Sequence, residues 1–495
     1  MTHRMTIAGR PASTHASFDV VDPATGQPAG RAPECSPEQV DEAVAAAVAA
    51  FGEEPGAFGE EPGGGWGPAL GGRPGGGSGP AWRHDEAGRR QALRDIADTI
   101  EAHHGELTRL LVLESGKPLA WAAGEVSYAP SWFRYYADLD IPREVLRDVP
   151  GSLVELAYRP LGVVAAITPW NGPIGMAAWK VAPALRAGNT VVLKPSPFTP
   201  LATLRLGELL AGVLPPGVLN VVSGGDDVGR RMTAHPAVRK ISFTGSTGAG
   251  RQIAAAAGSR LARVTLELGG NDAAILLEDV DVPATAAALA ALALKNCGQI
   301  CAIPKRIFAP AAIYADVVAA FADAYGRVVV GGPYEPGVTM GPLSTRPQWE
   351  RVRGLVTDAV ARGGRIATGG APPDRPGFFY PATVVADVAE GVPLVDEEQF
   401  GPVTPIIRYD RPADAVARAN ATEFGLCGSV WSADPERAAV LAERLETGMT
   451  YVNGHGGLPP ELPFFGARSS GIGVANGLPG LLEFTQPQVV TRARG

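Results

Sequence analysis

At 495 residues the chain is too long for one hydrophobic core, since cores stop growing near roughly 250–300 residues, so two large domains are expected. A formal net charge of −8, with 19% charged and 45% hydrophobic residues, excludes the electrostatic footprint of a nucleic-acid or anionic-membrane partner and describes an ordinary globular chain. Four cysteines (Cys35, Cys297, Cys301 and Cys427) are too few for a disulfide framework and fit a reducing compartment, the cytoplasm.

In chain order, the N-terminal stretch lacks the apolar core of a signal peptide, and no run of about 18 apolar residues follows anywhere. Residues Gly52 to Pro80 are mostly Gly and Pro and open with FGEEPG written twice; so few large apolar side chains cannot offset ordering entropy, and the segment reads as a surface insertion. Leu93, Ile96, Ile100, Leu107, Leu110 and Leu111 keep helical spacing and predict two amphipathic helices between Arg89 and Lys117, broken near His103-His104-Gly105. Those adjacent histidines point in different directions on a helix, so no metal role is expected of them.

A hairpin is expected over Arg147–Tyr158, turning at Asp148 to Ser152, and a last strand over Gln488–Arg492. Between them, strands such as Gly162–Thr168 and Thr190–Lys194 alternate with helices such as Leu201–Leu214, the pattern of a parallel α/β sheet, and the alternation recurs after Gly270. Val282–Leu294 reads as a buried Ala/Leu helix.

The chemistry-bearing residues fall at strand ends. KISFTGSTGAG (Lys240 to Gly250) is a strand running into a glycine turn and a helix; Gly245, Gly248 and Gly250 allow close backbone approach, and Ser246 or Thr247 can cap a helix N-terminus that attracts anions. Lys194 ends the strand of VVLKPSPFTP, with Ser196 and Pro197 after it. Asn171, after Thr168-Pro169-Trp170, offers an amide donor for a developing oxyanion, in a loop stiffened by proline. Glu267 closes the strand RVTLE before Leu268-Gly269-Gly270, and Cys301 lies in NCGQICAIPKRIF. A thiolate adds to carbonyl carbon, and a carboxylate from a separate segment can activate the water that hydrolyses a thioester. Cys297 reads as a buried small hydrophobe, since no CxxC or His/Cys cluster accompanies it, and no metal is expected.

From about Phe18 to Val490 these ordered motifs resemble the aldehyde dehydrogenase superfamily. The resemblance implies an α/β fold with a Rossmann-type cofactor domain (1–140 and 160–267), an α/β catalytic domain (268–465) and a small β oligomerisation arm (141–159 and 483–495) that builds a homodimer or homotetramer. It implies oxidation of a small-molecule aldehyde to the acid through a thiohemiacetal and a thioester on Cys301, with Glu267 as base, Asn171 in the oxyanion hole and Lys180 in the proton path. The cofactor would be NAD or NADP, held by Thr168, Pro169, Trp170, Lys194, Ser196, Pro197, Gly245, Ser246, Thr247, Gly250, Leu268, Glu398 and Phe400. Many NAD-preferring relatives carry a glutamate at the position of Pro197; its absence leaves the choice open, with NAD modestly preferred on family grounds. Substrate walls would come from Asn171, Met176, Trp179, Ile300, Ile303 and His455; with no arginine at an evident pocket position, uncharged aliphatic or aromatic aldehydes are expected. Alternatives are a coenzyme A-acylating relative, commonly lacking the glutamate base, and a catalytically silent binding homologue, against which Asn171, Glu267 and Cys301 all stand.

Overall fold

The computed structural model describes residues 3–52 and 81–493, so the Gly/Pro-rich segment, apart from Gly52, lies outside the described residues. Its flanks are described: the helix Pro37–Phe51 ends in a left-handed Gly52, where an added Cβ would stand 2.9 Å from Ala81.

Buried apolar side chains fall into two large clusters, each built on one sheet. The first sheet has eight strands. Its parallel centre runs in the spatial order Leu219–Val221, Thr190–Lys194, Val163–Ile167, Val238–Thr244, Arg263–Glu267, with antiparallel Met5–Ile7 and Arg10–Ala12 at one edge and Gly471–Ile472 at the other. The strands VVAAI and TVVLK are buried at every position, as strands covered by helices on both faces must be. The chain leaves Val163–Ile167 in one direction for two strands and returns to its other side at Val238–Thr244. That reversal is a topological switch point, and ligands of open α/β sheets bind outside the strand C-termini there. Ile167, Lys194, Thr244 and Glu267 all end strands at this edge, with Ile167 beside Lys194 and Thr244 beside Glu267 in register.

The second sheet has seven strands, ordered Arg365–Thr368, Thr383–Val388, Val403–Tyr409, Arg306–Pro310, Ala273–Leu276, Cys427–Trp431, Met449–Val452, parallel except for the first. A third, antiparallel sheet joins Glu144–Val149, Ser152–Pro160 and Thr485–Ala493. The expected hairpin and last strand are thus present, each longer than the sequence indicated, and Val145, Leu146 and Val489 lie exposed on them.

The helices Glu86–Ala102 and His104–Ser115 meet at His103, the expected break. Two expectations change. The helix from Leu201 stops at Leu210, ahead of Pro215-Pro216. Val282–Ala293 buries only one face, through Thr285, Ala286, Leu289, Ala290 and Ala293; its other face is apolar but mostly alanine, whose small side chain costs little in water. Among the described residues no helix is long and apolar enough to cross a membrane.

Candidate active site

Asn171 leaves the end of Val163–Ile167 and enters the helix Pro173–Arg186, whose first amides, at Ile174 and Gly175, are capped by Glu125 at 3.0 and 3.1 Å. Glu125 is itself ion-paired with Lys117. The Asn171 amide donates to Gln299 O at 2.9 Å, and Asn171 O accepts from the Asn296 side chain at 3.0 Å. Asn171 and the cysteine loop are therefore tied together.

That loop is strained. Asn296, Cys297 and Gly298 have successive positive φ values of 50°, 58° and 71°, a run that non-glycine residues rarely adopt. A Cβ at Gly298 would lie 2.1 Å from Gly401 O, so the loop presses directly onto the backbone after Phe400. Gln299 braces the loop, donating to Asn296 O at 2.9 Å and accepting from Ser344 N at 2.9 Å. Cys301, half-buried, is held by the Lys305 ammonium, which donates to its carbonyl oxygen and pairs with Glu398 at 3.2 Å. Burial pushes the Cys301 thiol up to about 12, with Lys305 pulling the other way. Cys297, 4% exposed, is an apolar filler in the second core, as expected.

Glu267 is buried, and neither carboxylate oxygen has a hydrogen-bond partner among the described residues. Burial therefore lifts its pKa to about 8, opposed by Lys180. Lys180, on the helix Pro173–Arg186, donates to Thr244 Oγ1 at 2.7 Å and Ser242 Oγ at 3.3 Å; burial lowers it to about 7, with Glu267 opposing. Two groups of opposite type are thus both brought close to neutrality.

The residues expected on the cofactor side gather along the same edge. Glu398 accepts from Gly270 N at 3.1 Å, and Phe400 stands edge-on to Trp170 with ring centroids 5.3 Å apart. Thr168 N donates to Lys194 O at 3.1 Å, and Trp170 O accepts from Thr199. Ser246 caps the helix Thr247–Gly258 by accepting from Ala249 N, Thr247 donates to Ser469 O, Gly245 N donates to Glu267 O, and Leu268 packs on Gly250 so closely that a Cβ there would clash. Ser196 accepts from Phe198 N, and Pro197 is half-buried. Lys194 is buried and lowered to about 8 by that burial, with Asp226, Glu34 and Cys35 opposing. The N-terminus of the capped helix and a buried lysine at a switch point fit a dinucleotide phosphate and ribose.

Of the expected substrate residues, Met176 and Ile300 are half-buried, whereas Trp179, Ile303 and His455 are almost wholly buried. Trp179 packs between Trp132 and Phe464, and His455 bonds to Ser429 at 3.0 Å and Asp272 at 3.3 Å. Residues that sequence reading did not single out include Lys305, Glu125, Asn296 and Glu34; Lys305 lies inside the quoted cysteine motif, while Glu34, which accepts from Gly225 N at 2.9 Å, carries no local signal.

Residues 78–490 match the Aldehyde dehydrogenase family. The chain is 37% identical over 487 residues to aldehyde dehydrogenase LUC3 of Fusarium sp (98% of this chain, 97% of that protein) and 38% identical over 471 residues to geranial dehydrogenase of Castellaniella defragrans (94% and 92%). Its structure superposes on the NAD+ complex of an aldehyde dehydrogenase from Bacillus cereus with a TM-score of 0.91 at 32% identity, covering 100% of this chain and 97% of that one. The chain belongs to the aldehyde dehydrogenase family, as an NAD(P)-dependent enzyme oxidising aldehydes.

Proposed function

We propose that Cys301 is the nucleophile, Asn171 the oxyanion donor and Glu267 the base of this oxidation, and that the substrate is an uncharged, largely apolar aldehyde. The observation that carries the assignment is the convergence of three separate segments: Asn171 bonded into the Cys301 loop, and an unpartnered Glu267 carboxyl whose charge acts on the Cys301 thiol. The sulfur, its proton released to solvent, forms a bond to the aldehyde carbon, and the carbonyl oxygen takes the negative charge beside the Asn171 amide and the Cys301 N–H. When bound, a nicotinamide would supply the acceptor for the hydride that leaves this carbon, and the adduct would become a thioester. Glu267 then takes a proton from water as the water oxygen bonds to the carbon; the C–S bond breaks, the thiol is restored, and a carboxylic acid leaves. Retention of Glu267 favours water over coenzyme A as the acceptor.

For the cofactor, Lys194, Ser196, Pro197, the helix Thr247–Gly258, Glu398 and Phe400 form the holding set, with NAD modestly preferred over NADP. The three-stranded arm, with Val145, Leu146 and Val489 exposed, is the surface for a homodimer or homotetramer, and four free cysteines fit a cytoplasmic setting. Assays of octanal, benzaldehyde, succinic semialdehyde and betaine aldehyde with each cofactor, read by absorbance of the reduced nicotinamide, test this reading. The apolar aldehydes should show the higher kcat/KM; preference for the charged pair would overturn it.

A further inference from the structure

Directly behind the Cys301 loop, three donor side chains of different kinds converge from distant segments. Asp272 precedes the strand Ala273–Leu276, Cys427 opens Cys427–Trp431, and His455 follows Met449–Val452. These strands are neighbours, in that order, in the second sheet, so the residues around their ends meet. A carboxylate oxygen of Asp272, the Cys427 sulfur and a ring nitrogen of His455 all lie within 4.8 Å of one another, and all three residues are buried. No short motif could reveal this set: Asp272 and His455 are 183 residues apart.

Hydrogen bonds hold Asp272 and His455 in place around the cluster. Asp272 Oδ1 accepts from Cys427 N at 3.1 Å, Oδ2 lies a long 3.3 Å from His455 Nε2, and the Asp272 charge also acts on Lys305 and Arg306. The other ring nitrogen, Nδ1, is 3.0 Å from Ser429 Oγ. Ser429 also accepts from the Trp431 indole at 2.9 Å, so its hydroxyl donates to Nδ1 while Nε2–H donates to Asp272; a cation at the centre takes the place of that Nε2 proton, with Nδ1–H then donating to Ser429. A polar partner on the far nitrogen is also how ligating histidines are usually oriented.

We propose that Asp272, Cys427 and His455 bind one borderline-soft divalent cation of the zinc class. Tetrahedral zinc holds N and O donors at about 2.0–2.2 Å and thiolate at about 2.3 Å, hence donors about 3.3–3.6 Å apart, so closure needs shifts of roughly 1 Å. Thiolate and carboxylate together balance a divalent charge, which makes burial of the ion tolerable. A hollow of about 10 Å³, the space of one water, borders Asp272 and Cys427 but not His455. The donors include none of the residues assigned to the acyl chemistry, so the site stands or falls independently of that assignment.

The test is cobalt titration of the full chain carrying Cys301→Ala, which removes the competing catalytic thiol. One equivalent should bind, with sulfur-to-cobalt charge-transfer absorbance in the near ultraviolet and affinity that rises with pH as the Cys427 proton is displaced. Adding Cys427→Ala should abolish the band, with Cys427→Ser as the volume-conserving second variant, and adding Asp272→Asn should weaken binding at least tenfold. Absence of binding in Cys301→Ala, or the same band and affinity without Cys427, would overturn the proposal.

Discussion

Lys180 and Glu267 are linked through one residue: Thr244 accepts a 2.7 Å hydrogen bond from the Lys180 ammonium and is the register partner of Glu267. As the proposed base, Glu267 acts only when ionised, and burial holds its pKa near 8, so hydrolysis of the thioester should rise with pH along a limb centred near that value. Up to about pH 7, where Lys180 itself holds its proton, its positive charge favours the carboxylate. Lys180→Met should move the limb to higher pH and slow turnover at neutral pH, about tenfold for each unit of movement. The pH profile of kcat in both proteins, under conditions where hydrolysis limits, measures it; a limb that stays in place would remove Lys180 from this role.

Cys301→Ala should lower activity by at least about 10³-fold with little change in Tm, because it removes the nucleophile and little volume. Cys297→Ala should keep most of its turnover, since Cys297 serves the second core as an apolar filler. Reversed results would identify Cys297 as the nucleophile.

Glu267→Gln separates the two half-reactions. Oxidation precedes hydrolysis, so rapid mixing should show a burst of reduced cofactor near one equivalent per site, followed by turnover slowed about 10²- to 10⁴-fold. An unchanged steady-state rate with no burst would take Glu267 out of thioester hydrolysis.

Pro197 supplies neither an acceptor for a ribose hydroxyl nor a charge to repel a 2′-phosphate. Yet Lys194 is not alone: its stem runs beside Gly229, and Glu34 and Asp226 act on its charge. Glu34→Gln should therefore improve kcat/KM for NADP relative to NAD by about fivefold, the effect of roughly 1 kcal/mol of lost repulsion, and Pro197→Glu should sharpen the preference for NAD. Ratios of the two specificity constants that ignore both substitutions would mean that this corner does not face the adenosine ribose.

The parts of the site that sequence revealed are those where chemistry and local structure share a few consecutive residues. A strand end followed by glycine places Glu267, and a proline-stiffened loop places Asn171, so motif and position were legible together. Long-range partnerships were not: Glu34 meets Gly225 across 191 residues, and the Asp272–Cys427–His455 group exists only because three strands lie side by side. The helix Leu119–Asp138 escaped notice for a local reason, since Pro130 interrupts its pattern although the helix continues through it. The outer face of Val282–Ala293 was misread because alanine on every side erases the contrast between core and solvent.

The Gly/Pro-rich insertion is testable from its anchors alone. Gly52 and Ala81 stand side by side, Arg83 lies 5.3 Å from the centre of the Phe51 ring, and Trp82 is buried with its indole donating to Asn189 O at 2.8 Å. Both flanks are therefore fixed by the fold, and a short bridge spans the gap. Replacing residues 53–80 by a Gly-Ser-Gly linker, keeping Gly52 because its φ of 85° suits glycine, should leave Tm within a few degrees and turnover nearly unchanged. Shortening the segment about ninefold alters closure entropy by only about 2 kcal/mol, in the stabilising direction. A large loss of turnover, or a changed assembly by light scattering, would instead show that the insertion contributes to the active site or to subunit contact.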